Sequence, residues 1–216
     1  MMDILLEENN FLIVDKPAGI PVLTDGWAKE APYLVKQLEE VYGRIWVVHR
    51  LDKTTSGVMI FARNAETHRS LNTQFELHQT QKVYHAILEG EPQWKEKVAS
   101  FPLRTNVGHK HRTIVDEKGG KPSETRFRVL RRSISAALVE ARPTTGRTHQ
   151  IRVHALTLGH PLLADYLYEA EETEIIQRPA LHAHSLTFTH PLSQELLTYT
   201  APRPNDFVEA LQQLGL

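Results

Sequence analysis

The stretch "WVVHRLDKTTSGVMIFAR", Trp46 to Arg63, decides the fold, because it places two apolar runs on either side of a short charged and polar segment. The runs "RIWVVHRLD" and "SGVMIFAR" are rich in β-branched and aromatic residues, and Thr-Thr-Ser-Gly is typical of a turn. This pattern predicts two neighbouring strands of a buried sheet, joined by a loop. Asp52 lies in that loop, where a rigid sheet would hold its carboxylate in place.

Predicted strands recur along the rest of the chain, separated by Pro, Gly, Asn and Ser residues that are typical of turns. They are "FLIVDKPAGIPV", "KVYHAILEG", the hairpin pair "SETRFRVLRR" and "SAALVEARP", and the pair "LHAHSLTFTHP" and "ELLTYTAP". In "KVYHAILEG", a strand would place Tyr84, Ala86 and Leu88 on one face, because successive side chains alternate.

Two segments instead carry a helical pattern. "AETHRSLNTQFELHQ" predicts a helix with Asn64 as its N-cap. "THQIRVHALTLG" predicts a second helix, with Ile151 and Ala155 facing the core and Gly159 at its end. We therefore expect an α+β fold, with a mostly antiparallel mixed sheet and a few flanking helices.

Composition excludes several kinds of protein. The 216 residues include no cysteine, which excludes a disulfide framework, a thiolate metal site and a cysteine nucleophile. The N-terminal segment "MMDILLEENN" carries acids where a signal peptide carries bases, and no apolar run approaches the roughly 20 residues that span a bilayer. We expect a cytoplasmic protein without a membrane partner, built as a single domain over residues 1–216.

Charge is unevenly distributed, although the formal net charge is only −1. The basic stretch from Arg104 to Arg132 contains nine Lys or Arg residues against three Asp or Glu residues, a local charge of +6. Such a stretch could form a basic face suited to a phosphate backbone. The alternative interpretation is an ordinary solvated hairpin.

The twelve histidines raise the question of a metal site. His149 and His154 are five apart on the predicted helix and do not share a face, and the zincin spacing of four with an intervening glutamate is absent. The remaining candidates are two-ligand pairs, His182 with His184 and His109 with His111. The chain also lacks a G-x-S-x-G elbow, a phosphate loop and a dinucleotide fingerprint. We therefore predict no metal and no cofactor.

Five separated motifs, taken in order, resemble those of the RluA family of RNA pseudouridine synthases. They are "HRLD", "TSGVMIFAR", "KVYHAILEG", "GRTHQIRVHALTLGHPLLAD" and "LHAHSLTFTHP". The resemblance extends from about Ile4 to Phe207 and implies that family's catalytic domain. It also implies an isomerisation in which a uridine is flipped out of RNA. The bond from ribose C1′ to N1 of the base breaks, the uracil turns, and C5 is joined to C1′.

The resemblance implies three catalytic residues. Asp52 of "HRLD" would be the essential group, either as a nucleophile towards sugar or base or by removing a proton. Either role needs an ionised carboxylate in a pocket that excludes water, so a buried cation must keep it charged. Arg152 of "HQIRVH" is the cation that the family implies, and Arg50 is a second candidate if the strand continues to Asp52. Tyr84 would stack on the flipped uracil, and its hydroxyl is a candidate for handling the C5 proton.

Taken singly, the same residues have structural interpretations: a turn cap for Asp52, a half-buried strand aromatic for Tyr84, and a surface helix residue for Arg152. His49 is expected to brace the loop by a hydrogen bond. RNA contacts are predicted for basic residues near these positions. They are Arg50, Lys53, Lys82 and Arg147, together with Arg112 in the basic stretch.

The catalytic pattern begins near residue 4, so the resemblance implies a short form without the S4-type RNA-binding domain of longer members. Such short forms resemble the branch that acts on tRNA, or on both tRNA and large-subunit ribosomal RNA. These RNAs are the predicted partners; no protein partner is implied, and a monomer is the default. Two other hypotheses remain: an RNA-binding or RNA-chaperone module without turnover, and a metal-dependent nucleic-acid hydrolase that uses the histidines.

Overall fold

The computed structural model describes residues 2–24 and 31–216, which form two compact units. The first unit contains the chain up to Lys82 together with Ala183–Pro202. The second contains Val83–His182 together with Arg203–Leu216. Each unit therefore combines two separate segments of the chain, and the single domain over residues 1–216 stays a prediction.

The described residues contain twelve strands and four α-helices. In chain order they are β1 (Asp3–Glu7), β2 (Phe11–Lys16), α1 (Leu34–Tyr42), β3 (Trp46–Val47), β4 (Ser56–Ala62), α2 (Ala65–Glu76), β5 (Gln81–Glu89), β6 (Glu96–Ser100), β7 (Leu103–Val107), β8 (Arg112–Val115), β9 (Glu124–Arg132), β10 (Ala136–Pro143), α3 (Gln150–Thr157), β11 (Leu181–Thr189), β12 (Leu196–Thr200) and α4 (Asn205–Gln213). A short 3₁₀ helix, Tyr166–Tyr168, follows α3. The predicted class, α+β with a mostly antiparallel sheet and few helices, is confirmed.

The first unit is built around β2 and β4, the central strands of its sheet. β1 pairs with β2, β2 with β4, and β11 with β12, all antiparallel, and β11 lies beside β4. Every residue of β4 is buried, including Met59, Ile60 and Phe61. Burial of each such side chain contributes about 1.5 to 3 kcal/mol. The apolar run "SGVMIFAR" therefore forms a strand that is covered on both faces.

The first half of the opening stretch forms a much shorter strand than predicted. β3 pairs antiparallel with β4, as expected, but it ends at Val47 and the following residues form no regular ladder. The ladder ends there because the His49 side chain takes the next donor: its Nε2 accepts the backbone N–H of Ile60 at 3.1 Å. The argument that a continuing strand would put Arg50 on the same side as Asp52 is therefore wrong.

The helix α2 begins as predicted. The Asn64 side chain accepts the backbone N–H of Thr67 at 2.8 Å, which satisfies one of the donors that every helix start leaves unpaired. Leu71 is fully buried, and Phe75 on the same face is partly buried. The amphipathic pattern of this segment therefore places the helix correctly.

The sheet of the second unit has the antiparallel strand order β5, β10, β9, β6. Its α3 side is the face that packs against α3, in a cluster that includes Phe127 and Ala155. Its α4 side packs against α4, in a cluster that includes Leu138 and Phe207. Because directly paired residues of neighbouring strands point to the same face, the register tells on which side each residue lies.

The helix α3 is buried almost all round. Its predicted core residues Ile151 and Ala155 lie in the α3-side cluster, and the helix ends just before Gly159, as expected. Three polar side chains of the helix are buried as well: Gln150, Arg152 and His154. The helix must therefore satisfy these polar groups inside the protein, which a one-sided helix would not require.

Candidate active site

Asp52 lies in a loop that is fixed by contacts with the segment after β2. The N–H of Thr55 donates to the Asp52 carbonyl at 3.1 Å, which closes the predicted turn. The carbonyl of Lys53 accepts the N–H of Gly19 at 2.8 Å and the Nζ of Lys16 at 3.2 Å. Asp52 itself is partly exposed. Asp52 is therefore partly accessible, and the backbone of its loop is held at several points.

Lys16, which was not predicted as a site residue, is fully buried. Its ammonium also donates to the carbonyls of Pro17 at 2.9 Å and Ile20 at 2.8 Å. Charge-assisted hydrogen bonds of this kind are stronger than neutral ones, so they tie the segment after β2 firmly to the Asp52 loop. The available sequence signal was the "DKPAG" segment at the start of the catalytic pattern.

His49 braces the same loop, as predicted. Besides its hydrogen bond with Ile60, its ring stacks on Phe75 of α2, with ring centroids 4.6 Å apart. Burial, together with the charge of Lys82, lowers the pKa of His49 to about 3. The imidazole is therefore neutral near pH 7, which its role as acceptor of a backbone N–H requires.

The predicted RNA contacts of the first unit differ in exposure. Arg50 and Lys53 are exposed on either side of Asp52. Lys82 is only partly exposed, and burial lowers the pKa of its ammonium below the ordinary value. Lys82 is thus less accessible than expected for a side chain that reaches a phosphate from the surface. Contact of these three residues with RNA stays a prediction.

Tyr84 lies in β5, partly buried on the α3 side of the second unit's sheet. It shares that face with Ala86 and Leu88, so the predicted alternation of the strand is confirmed. Its cross-strand partner in β10 is Ala141, which has a small side chain. An aromatic ring in such a position is suited to stacking on a base.

Arg152 projects from α3 into a buried ion pair. Its Nε and Nη2 donate to the two carboxylate oxygens of Asp165 at 2.7 and 2.6 Å. The two side chains are only 7% and 0% exposed. This two-point contact fixes the plane of the guanidinium group. Asp165 was not predicted, although it is the last residue of the quoted motif "GHPLLAD".

Tyr168 connects this ion pair with β8. The guanidinium carbons of Arg152 and Arg112 lie 4.9 and 5.3 Å from the centroid of its ring. Its hydroxyl accepts the backbone N–H of Thr113 at 2.9 Å and lies 2.8 Å from Nδ1 of His149. Arg112, a predicted RNA contact, therefore packs over a buried ring, and its contact with RNA stays a prediction.

The loop before α3 is held by Gln150, another residue that was not predicted. Its Oε1 accepts the hydroxyl of Thr145 at 2.7 Å and the N–H of Arg147 at 3.0 Å. Its Nε2 donates to the carbonyl of Glu124 at 2.9 Å. Arg147 is thus fixed at its backbone while its guanidinium lies 3.4 Å from the carbonyl of Pro122. Its predicted role as an RNA contact is not contradicted by this position and stays a prediction.

The basic stretch from Arg104 to Arg132 is divided between different surfaces. Arg104 pairs with Asp116 at 2.8 Å beside the β7–β8 hairpin. Arg126 and Arg128 project from β9 on the α4 side, opposite to the face that carries Phe127. Contact of this stretch with RNA stays a prediction.

The three predicted catalytic residues are divided between the two units. Tyr84 and Arg152 belong to the second unit and Asp52 to the first. Their meeting in one catalytic centre stays a prediction. Among residues 2–24 and 31–216, no group of three or more His, Asp or Glu side chains is placed to hold a metal ion. In the same part of the chain, no helix has the length and apolar character needed to cross a membrane.

Comparison with known proteins shows to which family the chain belongs. The family described as RNA pseudouridylate synthase matches residues 10–157. An uncharacterized RNA pseudouridine synthase of Zymomonas mobilis is 39% identical over 95% of each chain. The dual-specificity RNA pseudouridine synthase RluA of Vibrio parahaemolyticus is 36% identical over 93% of this chain and 82% of that protein. The ribosomal large subunit pseudouridine synthase D of Nitrosomonas europaea is 35% identical, over 99% of this chain and 65% of that protein.

Solved structures agree with this result. The human protein RNA Pseudouridylate Synthase Domain Containing 4 superposes with a TM-score of 0.80 at 25% identity, covering 98% of this chain and 92% of that one. The human protein RNA Pseudouridylate Synthase Domain Containing 1 gives a TM-score of 0.79 at 29% identity, covering 94% and 84%. The chain therefore belongs to the RluA family of RNA pseudouridine synthases, which are isomerases that act on RNA.

Proposed function

We propose that this protein converts specific uridines of tRNA, of large-subunit ribosomal RNA, or of both into pseudouridine, acting as a monomer without metal or cofactor. The substrate classes follow from the resemblance to short family members and from a relative named for the ribosomal large subunit. The observation that carries the proposal is that the matched family region, residues 10–157, contains Asp52, Tyr84 and Arg152. A location in the cytoplasm, where these RNAs are found, is part of the proposal.

The proposed reaction is balanced without an oxidant or reductant. After the uridine is flipped out, the C1′–N1 bond breaks and the uracil turns so that C5 faces C1′. A C5–C1′ bond then forms, the proton on C5 is released, and N1 takes up a proton. Asp52 takes part either by attacking sugar or base or by removing a proton. No group is lost or gained overall, so the proposed reaction does not need a cofactor to supply or accept one.

The other two residues would support this reaction in different ways. Tyr84 would stack on the flipped uracil, which offsets part of the lost base stacking, on the order of 1 to 3 kcal/mol per base. Arg152 would supply the buried cation that keeps Asp52 ionised. Its ion pair with Asp165 supports this role, because a guanidinium held in one plane does not have to be reordered for each substrate.

The test is release of tritium from uridine C5 in labelled tRNA and large-subunit ribosomal RNA transcripts, with EDTA present. We expect release by the wild type and none by Asp52→Asn, because the amide can act neither as a nucleophile nor as a base. RNA binding by Asp52→Asn should stay within a few fold of wild type, since the change is nearly isosteric. Asp3→Asn, at an exposed position of β1, is the matched control and should keep full activity.

Other outcomes would favour other functions. Release that disappears with EDTA would point to metal-dependent chemistry. RNA binding without release from either transcript would point to a binding module. An Asp52→Asn variant that turns over normally would remove Asp52 from the mechanism.

A further inference from the structure

The α4 side of the second unit's sheet carries a group of arginines that the proposed reaction does not use. Arg142 of β10 lies directly opposite Arg126 of β9, and Glu140 lies opposite Arg128 in the neighbouring pair. These pairs share the face of Leu138, which packs towards α4. Tyr84 pairs with Ala141 on the α3 side, the other face of the same sheet.

This arrangement brings like charges together. Arg126 and Arg142 are a directly paired cross-strand couple, which is destabilising when both side chains are cations. Arg126 makes no hydrogen bond or ion pair within the described part of the chain. Its neighbours Arg142 and Arg128 both bind Glu140, at 2.8 and 3.2 Å. The single carboxylate of Glu140 therefore binds two guanidinium groups, and neither of them is that of Arg126.

Glu140 is held by its two arginine partners, Arg142 and Arg128. Burial would raise the pKa of its carboxyl group, but the hydrogen bond and charge of Arg142 and the charge of Arg128 hold it below the ordinary value. Glu96 of β6 lines the same open pocket as Arg126 and Arg142. It is the second acid in this pocket, and it is exposed.

Two further arginines extend the cationic surface. The Nε of Arg203 donates to Nδ1 of His85 at 3.1 Å, and His85 lies opposite Glu140 on the α4 side. Arg131 of β9 lies opposite Leu138 and therefore on the same α4 side. Burial, with the charge of Arg131, lowers the pKa of Arg203 below its ordinary value. We call this surface the arginine face; it consists of Arg126, Arg128, Arg131, Arg142 and Arg203. Glu96 and Glu140 line the pocket on this face, and Glu124 precedes Arg126 on the same side of β9.

We propose that the arginine face binds the phosphate backbone of the RNA substrate at a segment away from the uridine that is modified. Guanidinium groups bind phosphate oxygens through two parallel hydrogen bonds, and an anion between Arg126 and Arg142 would remove their repulsion. Because Tyr84 lies on the opposite face, the RNA at the arginine face is a different segment from the one whose base stacks on Tyr84. The inference rests on the proposed RNA substrate and adds a second contact surface to it.

This geometry predicts that the contribution of the arginine face depends on RNA length. A hairpin just large enough to present one uridine beside Tyr84 does not reach the other side of the sheet. A full-length tRNA or a large ribosomal RNA fragment can pass around the edge strand β6. The arginine face would therefore favour large structured RNAs over short hairpins that contain the same target.

The test uses a double variant that carries both Arg126→Gln and Arg142→Gln. Its RNA binding is compared with that of wild type, for a full-length tRNA transcript and for short hairpins cut from it. We expect Kd for the full-length transcript to rise on the order of 10-fold. The slope of log Kd against log salt should fall by between about 1 and 2, as for two lost phosphate contacts. Hairpin binding and kcat on a hairpin substrate should be unchanged. Arg128 remains as the partner of Glu140, so the variant should fold.

Arg132→Gln is the matched control, because Arg132 lies on the same strand but uses its guanidinium to bind the carbonyls of Pro92 and Trp94. This control should leave the salt slope unchanged. An unchanged affinity and slope for full-length tRNA in the double variant would overturn the proposal and point to a protein partner. Equal losses for hairpin and full-length RNA would also overturn it. If the wild type releases no tritium but the slope differs as expected, the proposed function fails while the RNA-binding face stands.

Discussion

At the scale of single residues, the position of Arg152 depends on Asp165, thirteen residues further along the chain. Both side chains are buried, and the carboxylate uses both oxygens to hold the guanidinium. A buried pair of this kind gives little net stability, but loss of one partner leaves the other as an uncompensated charge. Asp165 therefore acts as a positioning residue for Arg152 in the proposed reaction.

We expect Asp165→Asn to lower kcat on the order of 100-fold, because a small displacement of a group in the site has effects of this size. The free energy of unfolding should fall by about 3 to 5 kcal/mol. The measurement is steady-state kinetics at a temperature where circular dichroism shows the variant folded, with urea unfolding in parallel. Asp165→Glu, which keeps the charge, should recover part of kcat.

A second bidentate pair in the same unit supplies the control. Arg178 donates to both carboxylate oxygens of Asp206 at 2.7 and 3.0 Å. Asp206→Asn should reduce stability and leave kcat unchanged. If both variants lost kcat equally, the role of Asp165 would be stability alone.

Some residue roles were predictable from sequence because they are local. Asn64 caps α2 three residues before its donor, and His49 braces the loop in which it lies. The roles of Lys16 and Asp165 were not predicted, because their partners are brought close only by tertiary structure. Motif membership marked both residues without showing what they contact.

At the scale of elements, β4 and β11 approach so closely at Gly57 that no side chain fits. Gly57 has φ +117°, and a Cβ atom there would lie 2.1 Å from the carbonyl oxygen of Ala183. Both the backbone conformation and the contact therefore require glycine. This explains the glycine of "TSGVMIFAR", which a turn alone would not place inside a buried strand.

We expect Gly57→Ala to lower the free energy of unfolding by about 3 kcal/mol or more, since backbone atoms must move to admit the methyl group. Gly159→Ala is the matched control, because Gly159 also has positive φ, at +84°, but no atom within 4 Å of an added Cβ. It should cost only about 1 to 2 kcal/mol, the strain of the left-handed conformation. Urea denaturation measures both, and equal losses would show that the contact with Ala183 is unimportant.

Elements with a strong periodic pattern were predicted correctly, including α2, β5, the β9–β10 hairpin and the β11–β12 pair. β3 was predicted too long because a side chain, His49, ends its ladder. The helices α1 and α4 were missed, although Leu34 with Leu38 and Phe207 with Leu211 are buried at helical spacing. β6, β7 and β8 are short and largely polar, so their sequences carry little signal.

At the scale of the whole molecule, two titratable groups, Asp15 and His49, act in opposite directions on stability at acid pH. Burial, with the charge of Asp3, raises the pKa of Asp15 to about 6. Its contribution to stability is fully present below about pH 4 and is lost as pH rises through 6. His49, with its pKa lowered to about 3, destabilises the folded state as pH falls from about 6.5, because only the unfolded chain can take up its proton.

His49→Gln separates the two contributions, since glutamine can accept the N–H of Ile60 but cannot titrate. We expect the stability advantage of wild type over this variant to shrink as pH falls from about 6.5 to 4, by at most about 1.4 kcal/mol per pH unit. Urea unfolding across this range measures it. His109→Gln, at an exposed position, should run parallel to wild type. A pH-independent difference for His49→Gln would mean that the pKa of His49 is the same in the folded and the unfolded chain.

The fold class was predictable because strand and helix patterns are local, whereas the division into two units was not, since each unit joins distant segments. The orientation of the side chains of β9 was predictable only in part. The alternation of Arg126, Phe127 and Arg128 already indicated that the arginines lie opposite to a core residue. Which element covers each face could be known only from the register with β10.

The interleaved order of the two units has a consequence for biosynthesis. When the ribosome has made the chain only as far as His182, β4 still lacks the neighbour that Ala183–Pro202 supplies, and the α4 side of the second sheet lacks its helix. Neither unit can complete its fold while the ribosome is still translating the first 182 residues. The nascent protein must therefore carry unpaired strand edges and apolar surface until late in synthesis, the condition in which chains depend most on chaperones.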